Sequence, residues 1–148
     1  MENQDLTIEK MRIDDFEEIH RIWSNSNGVT LRAIDDSKEG IEKFLRRNPN
    51  NSFICRIKGE LIGGILAGHD GRKGFIYHTV VNEKYRDRNI GKKLVEKVIH
   101  SLKEKSITKI GVLVNSDNLS GNDFWESLGF EYINDLNYRI LPLNKLNT

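Results

Sequence analysis

The chain has 148 residues, a length that suits a single domain over residues 1–148 with a core able to fold alone. Its 23 basic and 22 acidic side chains leave a formal net charge of +1, so nothing calls for a nucleic-acid partner and any basic patch has to be local. No apolar run approaches the ~18 residues of a membrane span, the polar start at residues 1–9 is no secretory leader, and a lone cysteine excludes an internal disulfide framework and fits a reducing cytoplasm.

Residues 6–11 alternate and predict a first strand. Asp14 or Asp15 can cap the helix that follows, whose Phe16, Ile19, Ile22 and Trp23 share one face. Residues 24–28 break it, and an irregular connection over residues 29–36 leads to a second helix. Ser37 caps that helix, Ile41, Phe44 and Leu45 form its inner face, and Asn48-Pro49-Asn50 ends it. Residues 53–57, a Lys58-Gly59-Glu60 turn and residues 61–67 predict a hairpin. Gly63 and Gly64 inside its second strand signal a bulge or a close backbone approach. Cys55 lies on the first of these strands and reads as a buried small hydrophobe.

Residues 68–74 form a turn-rich loop, and residues 75–81, rich in aromatic and β-branched side chains, predict another strand. Ile90, Leu94, Val95, Val98, Ile99 and Leu102 then stripe one face of a long helix. Residues 107–114 predict a strand. Asp117 or Asn118 can cap a short helix carrying Phe124, Trp125 and Leu128, with Gly129 placed to end it. Residues 130–133 and 137–141 are expected to form a last hairpin of strands, and residues 144–148 a loose tail. The four histidines are scattered without partners at ligand spacing, so no metal site is expected.

The turn between the strand at 75–81 and the long helix carries four cations, Lys84, Arg86, Arg88 and Lys92, with conformational freedom at Asn89 and Gly91. A helix start has unpaired N–H groups and a partial positive charge, so added cations make a phosphate or pyrophosphate site. A P-loop would need Gly-Lys-Ser/Thr here, and a dinucleotide fingerprint would need three glycines; neither is present.

Arg86-Asp87-Arg88-Asn89-Ile90-Gly91 resembles the Gln/Arg-x-x-Gly-x-Gly/Ala turn with which the GCN5-related N-acetyltransferases (GNAT) bind the pyrophosphate of coenzyme A. Asn89 replaces the first glycine, and asparagine is the non-glycine residue that best tolerates a left-handed backbone. The run from Asn118 through Phe124, Trp125 and Gly129 to Phe130 resembles the Asn-x-x-Ala-x-x-Phe-Tyr-x-x-x-Gly-Phe segment that follows at this distance in the same family. The resemblance covers almost the whole chain. It implies an α/β (α+β) fold with a mixed, mostly antiparallel twisted sheet of about six to seven strands and about four flanking helices.

The resemblance further implies acetyl-CoA as co-substrate and direct transfer of the acetyl group to a primary amine, on a small molecule or a protein. The backbones of Val80 and Val81 would pair with the pantetheine arm. The amides of Arg86, Asp87, Arg88, Asn89, Ile90 and Gly91, with Lys92, would hold the pyrophosphate. Asn118 would hydrogen-bond the arm, Phe124 would pack on it, and a backbone N–H near Val81 would stabilise the oxyanion. Where many members carry a tyrosine acid this chain has Trp125, whose indole N–H has no proton to give up near neutral pH. The family's usual base positions hold Phe75 and Tyr77, so Tyr77 becomes a pocket wall acting through ordered water. Strict alternation turns His78 away from the acceptor unless a bulge re-aims it.

The acceptor pocket is expected from the 28–36 connection, the 68–74 loop and the C-terminal hairpin, with Trp23, Arg32, Asp70 and Tyr138 as candidates; Arg32 would suit a carboxylate and Asp70 an ammonium. Homodimers are common in the family and are not readable from these residues. The competing reading is an acyl-CoA-binding or regulatory module without transfer activity. A nucleic-acid-binding domain is disfavoured by the balanced charge.

Overall fold

The structure is a computed structural model that describes residues 5–148; Met1, Glu2, Asn3 and Gln4, part of the expected polar start, lie outside the described residues. The chain forms β1 (Leu6–Lys10), α1 (Phe16–Ser24), α2 (Lys38–Arg47), β2 (Phe53–Ile57), β3 (Glu60–His69), β4 (Gly74–Val81), α3 (Ile90–Lys103), β5 (Ile110–Val112) and α4 (Leu119–Ser127). One five-stranded sheet runs in the order β1-β2-β3-β4-β5. It is antiparallel through β4, and β5 lies parallel to β4.

Local chemistry sets the boundaries. The Ser37 hydroxyl accepts from Gly40 N at 3.1 Å and starts α2. Lys58 and Gly59, at φ 51° and 83°, make the two-residue turn that joins β2 to β3. Asn118 Oδ1 accepts from Gly121 N at 3.0 Å to start α4, and Gly129 at φ 92° follows its end.

Each face of the sheet has its own core. On one face Leu94, Val95, Val98 and Leu102 of α3 pack with Cys55, Ile62, Ile65, Ile76 and Trp125. On the other, Ile19 and Trp23 of α1 and Ile41 of α2 cover Ile54, Leu61, Leu66 and Val80. Each such side chain contributes about 1.5–3 kcal/mol on leaving water. Cys55 is fully buried as expected, and burial pushes its thiol up to about 12, which leaves it inert as a nucleophile. Among the described residues no helix is long and apolar enough to cross a membrane.

The sheet departs from the expected six to seven strands. Residues 130–133 and 137–141 form no strands, and Tyr132, Leu136, Tyr138 and Leu141 are exposed. A hairpin at that edge needs a neighbour to satisfy its outward groups, and β5 offers three residues. β5 is short because Ile107 is spent closing the end of α3, with its N–H donated to Leu102 O at 3.1 Å. The tail also differs from expectation. Asn147 Oδ1 accepts from Ile34 N and Asp35 N at 2.8 and 3.0 Å, so the tail is tied to the α1–α2 connection.

Candidate active site

The β4–α3 turn is built on two left-handed residues, Asp87 at φ 65° and Asn89 at φ 61°. Asn89 takes the N-cap position of α3 with no side-chain cap. The amides of Ile90, Gly91 and Lys92 therefore point out of the helix end without an intrahelical acceptor. α1 and α2 carry Glu17, Glu18 and Glu39 in their first turns, whereas the first turn of α3 holds no acid. This open positive end sits beside Arg86, Arg88 and Lys92. Arg86 Nε donates to Val81 O at 3.3 Å, and the Arg88 guanidinium lies 5.1 Å over the Tyr85 ring. A Cβ on Gly91 would meet two ring atoms of Phe124 at 3.3 Å, so the two expected motifs touch where α3 and α4 meet.

Next to that turn the sheet opens. β4 and β5 pair only as far as Ile76↔Val112, while β4 runs on to Val81. Asn82 N donates to Ile62 O at 2.6 Å, toward β3. Backbone groups alternate sides along an antiparallel strand, so those of Val81 and Thr79 face the gap beyond the end of β5. Those of Val80 face β3, opposite Gly64, which takes Val80 out of the pair expected to line the gap. The Thr79 hydroxyl is buried with no hydrogen-bond partner among the described residues.

A bulge decides what faces the sheet's other side. The register passes from Leu66↔His78 to Ala67↔Ile76, leaving Tyr77 as the extra residue on β4. Ile76 consequently packs on the α3 side and Val80 on the α1–α2 side, which strict alternation forbids. His78 falls with Val80: its ring lies 4.9 Å from that of Trp23, and its Nε2 is 2.7 Å from Asp36 Oδ1. The second oxygen of Asp36 accepts from Arg32 N at 2.7 Å. Burial pushes the Asp36 carboxyl up, but the hydrogen bonds from His78 and the Arg32 amide outweigh it and hold the group below the usual carboxylate range. Tyr77 lies against Phe44 and Phe75, with centroids at 5.5 and 5.1 Å. Burial, then the proximity of Tyr138 and Asp35, pushes its phenol up.

Of the acceptor candidates, Trp23 lies against His78, Tyr138 lies near Tyr77, and Arg32 contributes its backbone amide to Asp36. Asp70 lies elsewhere. Its carboxylate accepts from Arg72 N and Lys73 N in the β3–β4 turn, beyond the Gly74 end of β4. Trp125 is buried between Phe124 and Phe130, at centroid distances of 4.9 and 5.0 Å. Asn118 has its oxygen committed to capping α4 and its amide nitrogen uncommitted among the described residues. Asp36 was missed by sequence reasoning. It is 42 positions from His78 and bears no motif; the β4 bulge that joins them has no sequence mark.

Residues 14–130 match the acetyltransferase (GNAT) family. An acetyltransferase of Sodalis glossinidius is 31% identical over 126 residues, covering 85% of this chain and 87% of that protein. Ard1 from Thermoplasma volcanium superposes with a TM-score of 0.75 at 20% identity, over 84% of this chain and 82% of that one. AAC(6')-Iy, solved with the bisubstrate analog CoA-S-monomethyl-acetylneamine, gives 0.72 at 18% identity, over 93% and 98%. The extent of the family match and the identity to a relative covered nearly end to end place the chain in the acetyltransferase (GNAT) family, among the N-acetyltransferases.

Proposed function

We propose that this chain moves an acetyl group from acetyl-CoA to a primary amine by direct attack of the amine on the thioester. The observation that carries this reading is the gap beyond β5, edged by the backbone groups of Thr79 and Val81 and adjoining the uncapped start of α3. The residues suit the donor. Amides from Asn89 to Lys92, with Arg86 and Arg88, would hold a pyrophosphate. Val81 would pair with an amide-bearing arm like a neighbouring strand, and its N–H would stabilise an oxyanion. The lone Thr79 hydroxyl and the free amide of Asn118 would find partners on the arm, with Phe124 against it. The neighbour solved with a CoA-linked bisubstrate analog supports a CoA donor. The acceptor would approach from the α1–α2 side, past Tyr77 and Tyr138.

Trp125 in place of a tyrosine acid favours a second reading, an acyl-CoA-binding module without turnover. A thiolate is a fair leaving group, with a free-thiol pKa of about 8.5, so transfer survives that loss. Isothermal titration with acetyl-CoA tests the donor. Binding should be measurable at micromolar ligand, and no heat up to millimolar ligand would sink the proposal. Gly91→Asp, which sets a carboxylate at the helix start and its Cβ against Phe124, should abolish the affinity. Thiol release with an added amine separates the two readings.

A further inference from the structure

We propose that His78, held by Asp36, is the base that takes a proton from the acceptor ammonium; the inference rests on the transferase reading above. His78 pairs with Leu66 of β3 and lies on the stretch of β4 that β5 leaves uncovered beyond Ile76, level with the gap. α3 and its phosphate-suited start are on one side of the sheet, and His78 is on the other with α1 and α2. A donor threaded through the gap would present its thioester toward His78.

The imidazole is pre-set for this work. An ionised carboxylate only accepts, so the 2.7 Å contact to Asp36 Oδ1 puts the proton of a neutral ring on Nε2 and leaves the Nδ1 lone pair as acceptor. The amide of Arg32 holds the other oxygen of Asp36 at 2.7 Å, which fixes the carboxylate and with it the ring plane. The buried anion also stabilises the imidazolium once formed, as an aspartate does in a hydrolase triad. The His78 ring contacts Trp23 of α1 and Asp36 of the connection, with His20 behind Trp23, Tyr77 the preceding residue on β4, and Asp35 and Tyr138 close to Tyr77. Two of these groups are engaged elsewhere or held protonated. Asp35 Oδ2 is taken by Asn147 at 2.8 Å, and burial pushes the Tyr77 phenol up.

The step balances. The ammonium gives one proton to Nδ1, and the freed nitrogen lone pair attacks the thioester carbon. The C–N bond forms, the C–S bond breaks, and the sulfur leaves with the electron pair. The nitrogen then sheds a second proton, which ends on the sulfur, while His78 passes its own to solvent. Asp36 is a positioning residue.

The experiment measures free-thiol release from acetyl-CoA with n-butylamine across pH 5.5–9, alongside acetyl-CoA titrations and long-range ¹⁵N spectra of the imidazole (on the order of the pH span over which a histidine titrates). His78→Gln should leave acetyl-CoA affinity unchanged, lower kcat about a hundredfold and remove the acid limb of the profile. Asp36→Asn should lower kcat and mix the ring tautomers, and Asp36→Glu should restore part of the rate. A wild-type ring protonated on Nδ1, or a His78→Gln profile that keeps its acid limb and its kcat, would overturn the proposal. Loss of acetyl-CoA binding by the wild-type protein would instead overturn the donor reading beneath it.

Discussion

Asn89 stands at φ 61° and ψ 18°, where a Cβ ordinarily costs about 1–2 kcal/mol and asparagine is among the few side chains at ease. The conformation matters because it swings the next three amides of α3 outward together. Asn89→Gly keeps the backbone and should alter stability by less than about 0.5 kcal/mol. Asn89→Ala should lower it by about 1 kcal/mol, and Asn89→Val by more, since a branched Cβ crowds the turn further. Urea denaturation midpoints check the order. A larger loss for glycine than for alanine would show that the Asn89 side chain, not its backbone, holds the turn.

Between elements, β3 and β4 approach closely beside the site. A Cβ built on Gly63 would lie 2.6 Å from Val80 O, and a backbone oxygen cannot move aside without shifting the strand that bears Val81. Gly111 on β5 differs, because its nearest neighbour, at 2.9 Å, is the flexible end of Lys73. Gly63→Ala should therefore destabilise by about 2 kcal/mol and weaken acetyl-CoA binding, whereas Gly111→Ala should cost under about 1 kcal/mol. Equal denaturation midpoints for the two variants would refute this.

The same contrast explains what the residues disclosed in advance. Gly63-Gly64 announced close contact, Asn89 a left-handed turn and Ser37 a cap, because each is a local preference that the tertiary structure keeps. The bulge at Tyr77 is a register choice between β3 and β4, decided by which of Ile76 and Val80 finds a core on each face. No single stretch encodes it, so the placement of His78 and its pairing with Asp36 stayed hidden. The missing last hairpin has the same origin, since alternating residues at 130–141 make a strand only beside an edge long enough to receive them.

At the scale of the whole molecule, the two ends of the described chain bear differently on the site. β1 closes the sheet edge far from β4, three strands away in the order. The C-terminal segment instead crosses back, and Asn147 bridges 112 and 113 positions to reach Asp35 and Ile34. Its oxygen takes two amides of the connection and its nitrogen donates to Asp35 Oδ2 at 2.8 Å. The next residue along the connection is Asp36, so the tail braces the segment that orients His78. These three bonds are exposed and each contributes at the low end of the usual 0.5–1.5 kcal/mol, so their joint loss should cost about 1.5 kcal/mol locally. Asn147→Ala should then speed amide hydrogen exchange at Ile34 and Asp35 about tenfold while leaving β3 and β4 amides unchanged, because opening of the connection need not open the sheet. Thr148 O still accepts from Ala33 N at 2.8 Å in that variant, which keeps the change confined to the amides Asn147 served. Exchange that stays slow at Ile34 and Asp35 would mean that the Asn147 side chain does not brace the connection, which the Asp36 and Thr148 contacts then hold by themselves.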